Sequence, residues 1–118
     1  MKTNSRGFIE RNFPELRKYK RSTSRKWESS EKPHYKNNWW FKCLREELEE
    51  NEFIIFAGAN DQQDKDFKVL KVPTAYLLSN LDKLDMTEAG WINLYIHMES
   101  LEDVRNDARL PFKQFALN

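Results

Sequence analysis

Side chains able to do chemistry are concentrated between positions 18 and 39. Lys20, Arg21, Arg25, Lys26, Lys32 and Lys36 alternate there with Trp27, His34, Tyr35 and Trp39. Lys and Arg neutralise phosphates and release counterions, and aromatic and guanidinium planes stack on unpaired bases. The pattern points to a DNA or RNA partner. Lys20, Arg21, Arg25, Lys26, Lys32 and Lys36 would contact phosphates, and Trp27, Tyr35 and Trp39 would stack or wedge. The competing explanation is a solvated loop that balances the acidic part of the same chain.

The charge is split in two. Residues 1–42 carry 12 Lys/Arg and 4 Asp/Glu, while residues 43–118 carry 8 Lys/Arg and 15 Asp/Glu, so a net of +8 faces a net of −7. The formal total of +1 hides this division. A basic arm set against an acidic, strand-containing remainder suits a polyanion partner. Glu46, Glu47, Glu49 and Glu50 form a second charged cluster, which suits a basic protein partner.

Other candidate chemistry is thin. Asp61, Asp64 and Asp66 loosely follow the spacing of a calcium loop, but its glycine and its terminal Glu are missing. His34, His97 and Cys43 lack the spacing of a zinc site, and Cys43 suits a buried filler. There is no glycine-rich phosphate loop, GxSxG or HExxH motif, and no cofactor is expected. A single cysteine allows no internal disulfide. The N-terminal residues have no apolar signal region, and no apolar run is long enough for a membrane helix. A cytoplasmic setting without membrane contact follows as the expectation.

At 118 residues, one domain is expected over 1–118, with residues 1–12 and 20–37 as flexible basic segments. Phe8, Ile9, Phe13, Leu16 and Tyr19 have near-helical spacing, which predicts a short helix over 13–20. In 38–52, Trp40, Cys43, Leu44 and Leu48 form a helical stripe and Arg45 with Glu49 makes an i,i+4 pair, so a helix is predicted. Five Glu near its C-terminal end oppose the helix dipole. FIIFAGA (53–59) reads as a buried strand and FKVLKV (67–72) as its hairpin partner. Pro73 ends that strand and Thr74 opens a helix through 81. WINLYIH (91–97) alternates as a strand, Ser100 caps a predicted helix LEDVRN, and the tail from Arg109 docks. A further strand is expected near 25–28. These elements make an α/β or α+β fold, with a small, largely antiparallel sheet of three to four strands flanked by helices.

YKRSTSRKW (19–27), EFIIFAGA (52–59), FKVLKVPTAYLLSNL (67–81) and WINLYI (91–96) together resemble the C-terminal part of restriction-endonuclease-like, PD-(D/E)XK-type proteins. The step from KVP into a helix is the most specific element. The resemblance implies a nucleic-acid context and a restriction-endonuclease-like architecture. In that family a carboxylate two residues before the signature lysine binds Mg²⁺. If Lys20 matches that lysine, Lys18 stands at the carboxylate position, so the resemblance implies a member degenerate or truncated at its catalytic motif. The leading expectation is a nucleic-acid-binding domain without cleavage activity. Two alternatives stand beside it. One is a small interaction module or inhibitor, of phage or mobile-element type, docking on a nucleic-acid enzyme. The other is a metal-dependent nuclease with a rearranged site built on Glu10, Glu15 or Glu28 with Lys20.

Overall fold

A computed structural model describes residues 5–28, 36–61, 63 and 65–118. Helix α1 (Ser5–Asn12) is followed by a 3₁₀ turn (Pro14–Leu16), β1 (Lys20–Ser24), β2 (Lys26–Trp27), β3 (Asn38–Leu44) and α2 (Arg45–Glu50). Then come β4 (Phe53–Ala59), β5 (Phe67–Pro73), α3 (Thr74–Ser79), β6 (Asp85–Met86) and β7 (Trp91–His97). Short 3₁₀ turns at Leu81–Lys83 and Lys113–Phe115 complete the order. This is an α+β arrangement of two sheets. One has the order β1-β4-β5, with β1 parallel to β4 and β5 antiparallel. The other has the order β2-β3-β7-β6 and is antiparallel throughout.

The two sheets enclose the main core. Trp39, Phe41 and Cys43 from β3 and Ile92, Leu94 and Ile96 from β7 meet Ile54 and Phe56 from β4 and Leu70 and Val72 from β5. The other face of the β1-β4-β5 sheet carries Ile55, Ala57, Ala59, Phe67 and Val69, covered by Ile9 and Leu16. FIIFAGA is therefore buried on both sides, which explains its unbroken apolar run. Leu48 of α2, Leu77 of α3, and Leu101, Leu110 and Phe112 of the tail also enter the main core. Among the described residues, no helix is long and apolar enough to cross a membrane.

The chain passes from one sheet to the other at residues 20–27. Ser22 and Ser24 in β1 stand opposite Phe56 and Gly58 of β4. Their hydroxyls accept the backbone N–H groups of Lys42 (3.2 Å) and Trp40 (2.9 Å) in β3. Side-chain oxygens thus supply the acceptors that a neighbouring strand's carbonyls normally provide. Directly beside this seam the Trp39 indole lies over Gly58 and donates from Nε1 to the Ala59 carbonyl at 2.9 Å. A Cβ on Gly58 would stand 2.3 Å from the ring.

Three expected elements differ. The helix predicted over 13–20 is replaced by α1 upstream, because Phe13 (φ −141°) precedes Pro14 and residues before proline avoid helical geometry. The helix predicted over 38–52 is strand through Leu44 and helix only from Arg45. That later start puts Glu46 and Glu47 in the first turn, where the dipole favours them. The Glu47 carboxylate accepts the Leu44 N–H at 2.7 Å, and Arg45 reaches Glu49 at 3.0 Å as its spacing suggested. Residues 101–106 form no helix. Leu101 has φ 56°, and the segment instead makes isolated bridges from Glu102 to Pro111 and from Asp103 to Ile96. Residues 5–12 and 20–24, expected as flexible basic segments, are helix and strand, and β2 (Lys26–Trp27) falls where a further strand was expected near 25–28.

Gly58→Ala is expected to lower stability by about 3 kcal/mol, since a methyl group has no room under the enclosed Trp39 ring. Urea unfolding of the two proteins measures this. Equal midpoints would mean that the ring does not fix the seam.

Candidate functional site

In an antiparallel sheet, paired residues share a face, so the pairing register decides what each side presents. Trp27 pairs with Asn38, Asn38 with His97, Trp40 with Tyr95, Lys42 with Asn93 and Leu44 with Trp91. Asp85 pairs with Asn93. All of these lie on the face turned away from the main core. That face holds a connected aromatic group. Trp27 is 5.6 Å from Trp40 and 4.7 Å from Tyr95, and Trp40 is 5.9 Å from Tyr95, between ring centroids. Trp40 is 40% exposed and Trp91 is 37% exposed. The Lys42 ammonium sits between these two, 6.0 Å from the Trp40 ring and 5.1 Å from the Trp91 ring.

A polar chain fixes the rings. Trp40 Nε1 donates to Asn93 Oδ1 at 3.0 Å, and Asn93 Nδ2 donates to Asp85 Oδ2 at 3.3 Å. Arg105 Nε lies 3.5 Å from the same Asp85 oxygen and donates from Nη1 to the Tyr95 hydroxyl at 3.1 Å. Its guanidinium carbon is 4.9 Å from the Tyr95 ring centroid. The Trp40 and Tyr95 rings are thus held in orientation before any ligand arrives, which lowers the ordering cost of binding.

Beneath Tyr95 lies Asp103, fully buried. Its Oδ1 accepts the N–H groups of Tyr95 (3.0 Å) and Arg105 (3.1 Å), and its Oδ2 has no hydrogen-bond partner among the described residues. Burial pushes this carboxyl up to about 6, aided by the nearby Asp85 charge and opposed by the two N–H groups and the Arg105 guanidinium.

Of the nine residues expected to hold nucleic acid, the seven that are described do not form one surface. Trp27 belongs to the aromatic face. Trp39 is fully buried, so it is a core residue and not a stacking platform; its neighbour Trp40 takes the exposed position. Lys20 points toward Glu47, 3.7 Å away. Arg21 faces the α1 side, since it pairs with Ile55. Arg25 and Lys26 line a cleft with Asn37, Asn60 and Met98, and Lys26 also reaches Glu28 at 3.1 Å. Lys36 is exposed. Lys32, Tyr35 and His34 lie outside the described residues. Sequence reasoning missed Trp40, Lys42, Trp91 and Arg105 as site residues. The usable signal was the alternation of Trp91, Asn93 and Tyr95 along one side of β7.

Other candidates resolve simply. Burial, with Glu47 nearby, pushes the Cys43 thiol up to about 12, which leaves it unsuited to nucleophilic work. His97 Nδ1 accepts the Glu99 (3.2 Å) and Ser100 (3.4 Å) N–H groups and shapes a turn. Asp61 and Asp66 bond within the hairpin tip, to the Lys65 N–H and to Asn60, and Asp64 lies outside the described residues. Among the described residues, no three of His, Cys, Asp and Glu are grouped to hold a metal ion, around Lys20 or elsewhere. Of the acidic cluster, Glu47 and Glu49 have ion-pair partners, while Glu46 and Glu50 have none among the described residues. Comparison with protein-family models, with curated proteins and with solved structures found no match.

The Asp103 carboxyl holds its proton more tightly folded than unfolded, so the native state loses stability as pH rises from about 4 to about 6. The loss is expected to reach up to about 3 kcal/mol. Asp103→Asn keeps an acceptor for both N–H groups and cannot ionise. Its stability relative to wild type is expected to rise across that window, as urea unfolding at several pH values would show. A difference independent of pH would mean that Asp103 does not titrate there.

Proposed function

We propose that the outer face of the β2-β3-β7-β6 sheet binds single-stranded DNA or RNA without cutting it. The observation that carries this reading is the pair of half-exposed indoles, Trp40 and Trp91, with the Lys42 ammonium between them on one face of an antiparallel sheet. Such a face offers flat rings to unpaired bases and a cation to the phosphate that links them. A duplex hides its bases in the stack and gives these rings nothing to cover. Lys36, exposed just before β3, is a further cation near this sheet, whereas Lys26 pairs with the inward Trp39 and faces the other side. Asp85 compensates Arg105, so few free cations remain and stacking carries most of the affinity.

The reading keeps nucleic acid as the partner and moves the contact from the basic segment to the sheet face. It does not require restriction-endonuclease-like architecture. The rearranged-nuclease alternative has no grouped carboxylates to support it among the described residues. For the alternative of a protein partner on the acidic cluster, Glu47 and Glu49 are engaged by Lys20 and Arg45, and Glu46, Glu50 and Glu52 have no ion-pair partner among the described residues.

Titration with oligo-dT and oligo-U, followed by tryptophan fluorescence, tests the proposal. Saturable quenching is expected, with single strands preferred over duplex. Trp40→Ala and Trp91→Ala are each expected to cost about 1–3 kcal/mol of binding. Affinity should fall only shallowly with salt, since two or so phosphate contacts give a log–log slope of about −1 to −2. Full affinity in the Trp40→Ala, Trp91→Ala double variant would overturn the reading, as would a preference for duplex.

A further inference from the structure

A second cluster of charge lies on the opposite side of the β1-β4-β5 sheet. Arg6 from α1, Arg17 after the 3₁₀ turn and Arg21 from β1 line one cleft with Ile9 and Glu10. Three consecutive elements therefore bring three guanidinium groups together, although like charges repel. The one carboxylate in the lining, Glu10, is engaged by Arg6 through Nε at 3.3 Å, which leaves the terminal nitrogens of Arg6 available. Arg17 and Arg21 have no ion-pair partner among the described residues. The Arg21 guanidinium is made less basic by burial and then by the Arg6 charge, with Glu10 opposing. The cluster is thus unfavourable as it stands, and a bound anion would relieve it.

We propose that this cleft binds a phosphate monoester group through Arg6, Arg17 and Arg21. A carboxylate offers two oxygens to three guanidinium forks. A phosphate monoester offers three terminal oxygens and a charge of about −1.5 to −2 at neutral pH, close to the excess of positive charge in the lining. Planar forks bond such oxygens in pairs. The group has two sources with the same chemistry, a free phosphate compound or the 5′ end of a nucleic-acid strand. The site stands independently of the aromatic face, because it lies across the other sheet and shares no residue with it.

Calorimetric titration with inorganic phosphate at low salt tests it. Saturable binding with a Kd of about a millimolar or tighter is expected. Arg17→Gln and Arg21→Gln should each weaken it by about tenfold. Glu10→Gln should tighten it, because the competing carboxylate is gone. Lys83→Gln, which removes an exposed charge elsewhere, should leave it unchanged, and thermal melting verifies that each variant is folded. A 5′-phosphorylated dT tetramer that outcompetes its 5′-hydroxyl counterpart supports the strand end as the source. Equal competition by the two, with inorganic phosphate still bound, supports a free phosphate compound. No saturable phosphate binding, or an equal loss in Arg17→Gln and Lys83→Gln, overturns the site.

Discussion

The Trp39 indole over Gly58 constrains most of what surrounds it. The ring is fully enclosed, its N–H is satisfied by the Ala59 carbonyl, and its seat exists only because residue 58 has no Cβ. A strand has a side-chain period of two, so pinning Trp39 inward sends Phe41 and Cys43 inward as well and turns Trp40 and Lys42 outward. A one-residue slip would bury a lysine and expose the core. The pairing with β7 then carries the same choice to Trp91, Asn93 and Tyr95. The composition of the outer face is thus a consequence of a packing contact on the inner one.

The seam between the sheets follows the same logic. Ser22 and Ser24 turn toward β3 because they alternate with Arg21 and Thr23, which face α1. Their hydroxyls satisfy two β3 N–H groups that would otherwise be left without acceptors at a corner. Short polar side chains at every second position allow one strand to leave the parallel pairing with β4 and begin the antiparallel pairing with β3. What looked like a hydrophilic loop of Ser, Thr and Lys/Arg is the hinge strand of the fold. The charge split has a related resolution. Among the described residues, the basic segment does not form one patch, because strand alternation and the Arg25 corner distribute its cations to different surfaces. One of them, Lys20, reaches the acidic helix α2 directly.

Several elements were legible before any tertiary structure. FIIFAGA and FKVLKV declared themselves through an apolar run and an alternation around a polar turn, and WINLYIH through alternation alone. Pro73 marked the step from strand to helix. The segment 38–44 was not legible as a strand. Its apolar residues fit two periods at once: positions 40, 43, 44 and 48 make a helical stripe, and positions 39, 41 and 43 make one face of a strand. Local pattern cannot arbitrate between them, and the presence of β2 and β7 on either side does. Residues 101–106 misled for another reason. Glu102 and Asp103 look like favourable first-turn acids, yet Asp103 is committed to the N–H groups of Tyr95 and Arg105, and Leu101 turns the chain away from helix.

From sequence alone, the amino-acid chain determined a mixed α and β fold, open between α/β and α+β, with a hairpin, a third long strand, a tail apolar enough to dock, and cations placed with aromatic rings in its first third. Those features depend on short-range periodicity and on residue chemistry, which are local. Tertiary structure alone decided which of two adjacent tryptophans is core and which is surface, because that depends on where a glycine lies nineteen positions away. It also brought Trp27, Trp40, Trp91 and Tyr95 onto one face and Arg6, Arg17 and Arg21 into one cleft. The first grouping arises from sheet register between distant segments and the second from how three consecutive elements fold back on one another, and no spacing along the chain encodes either.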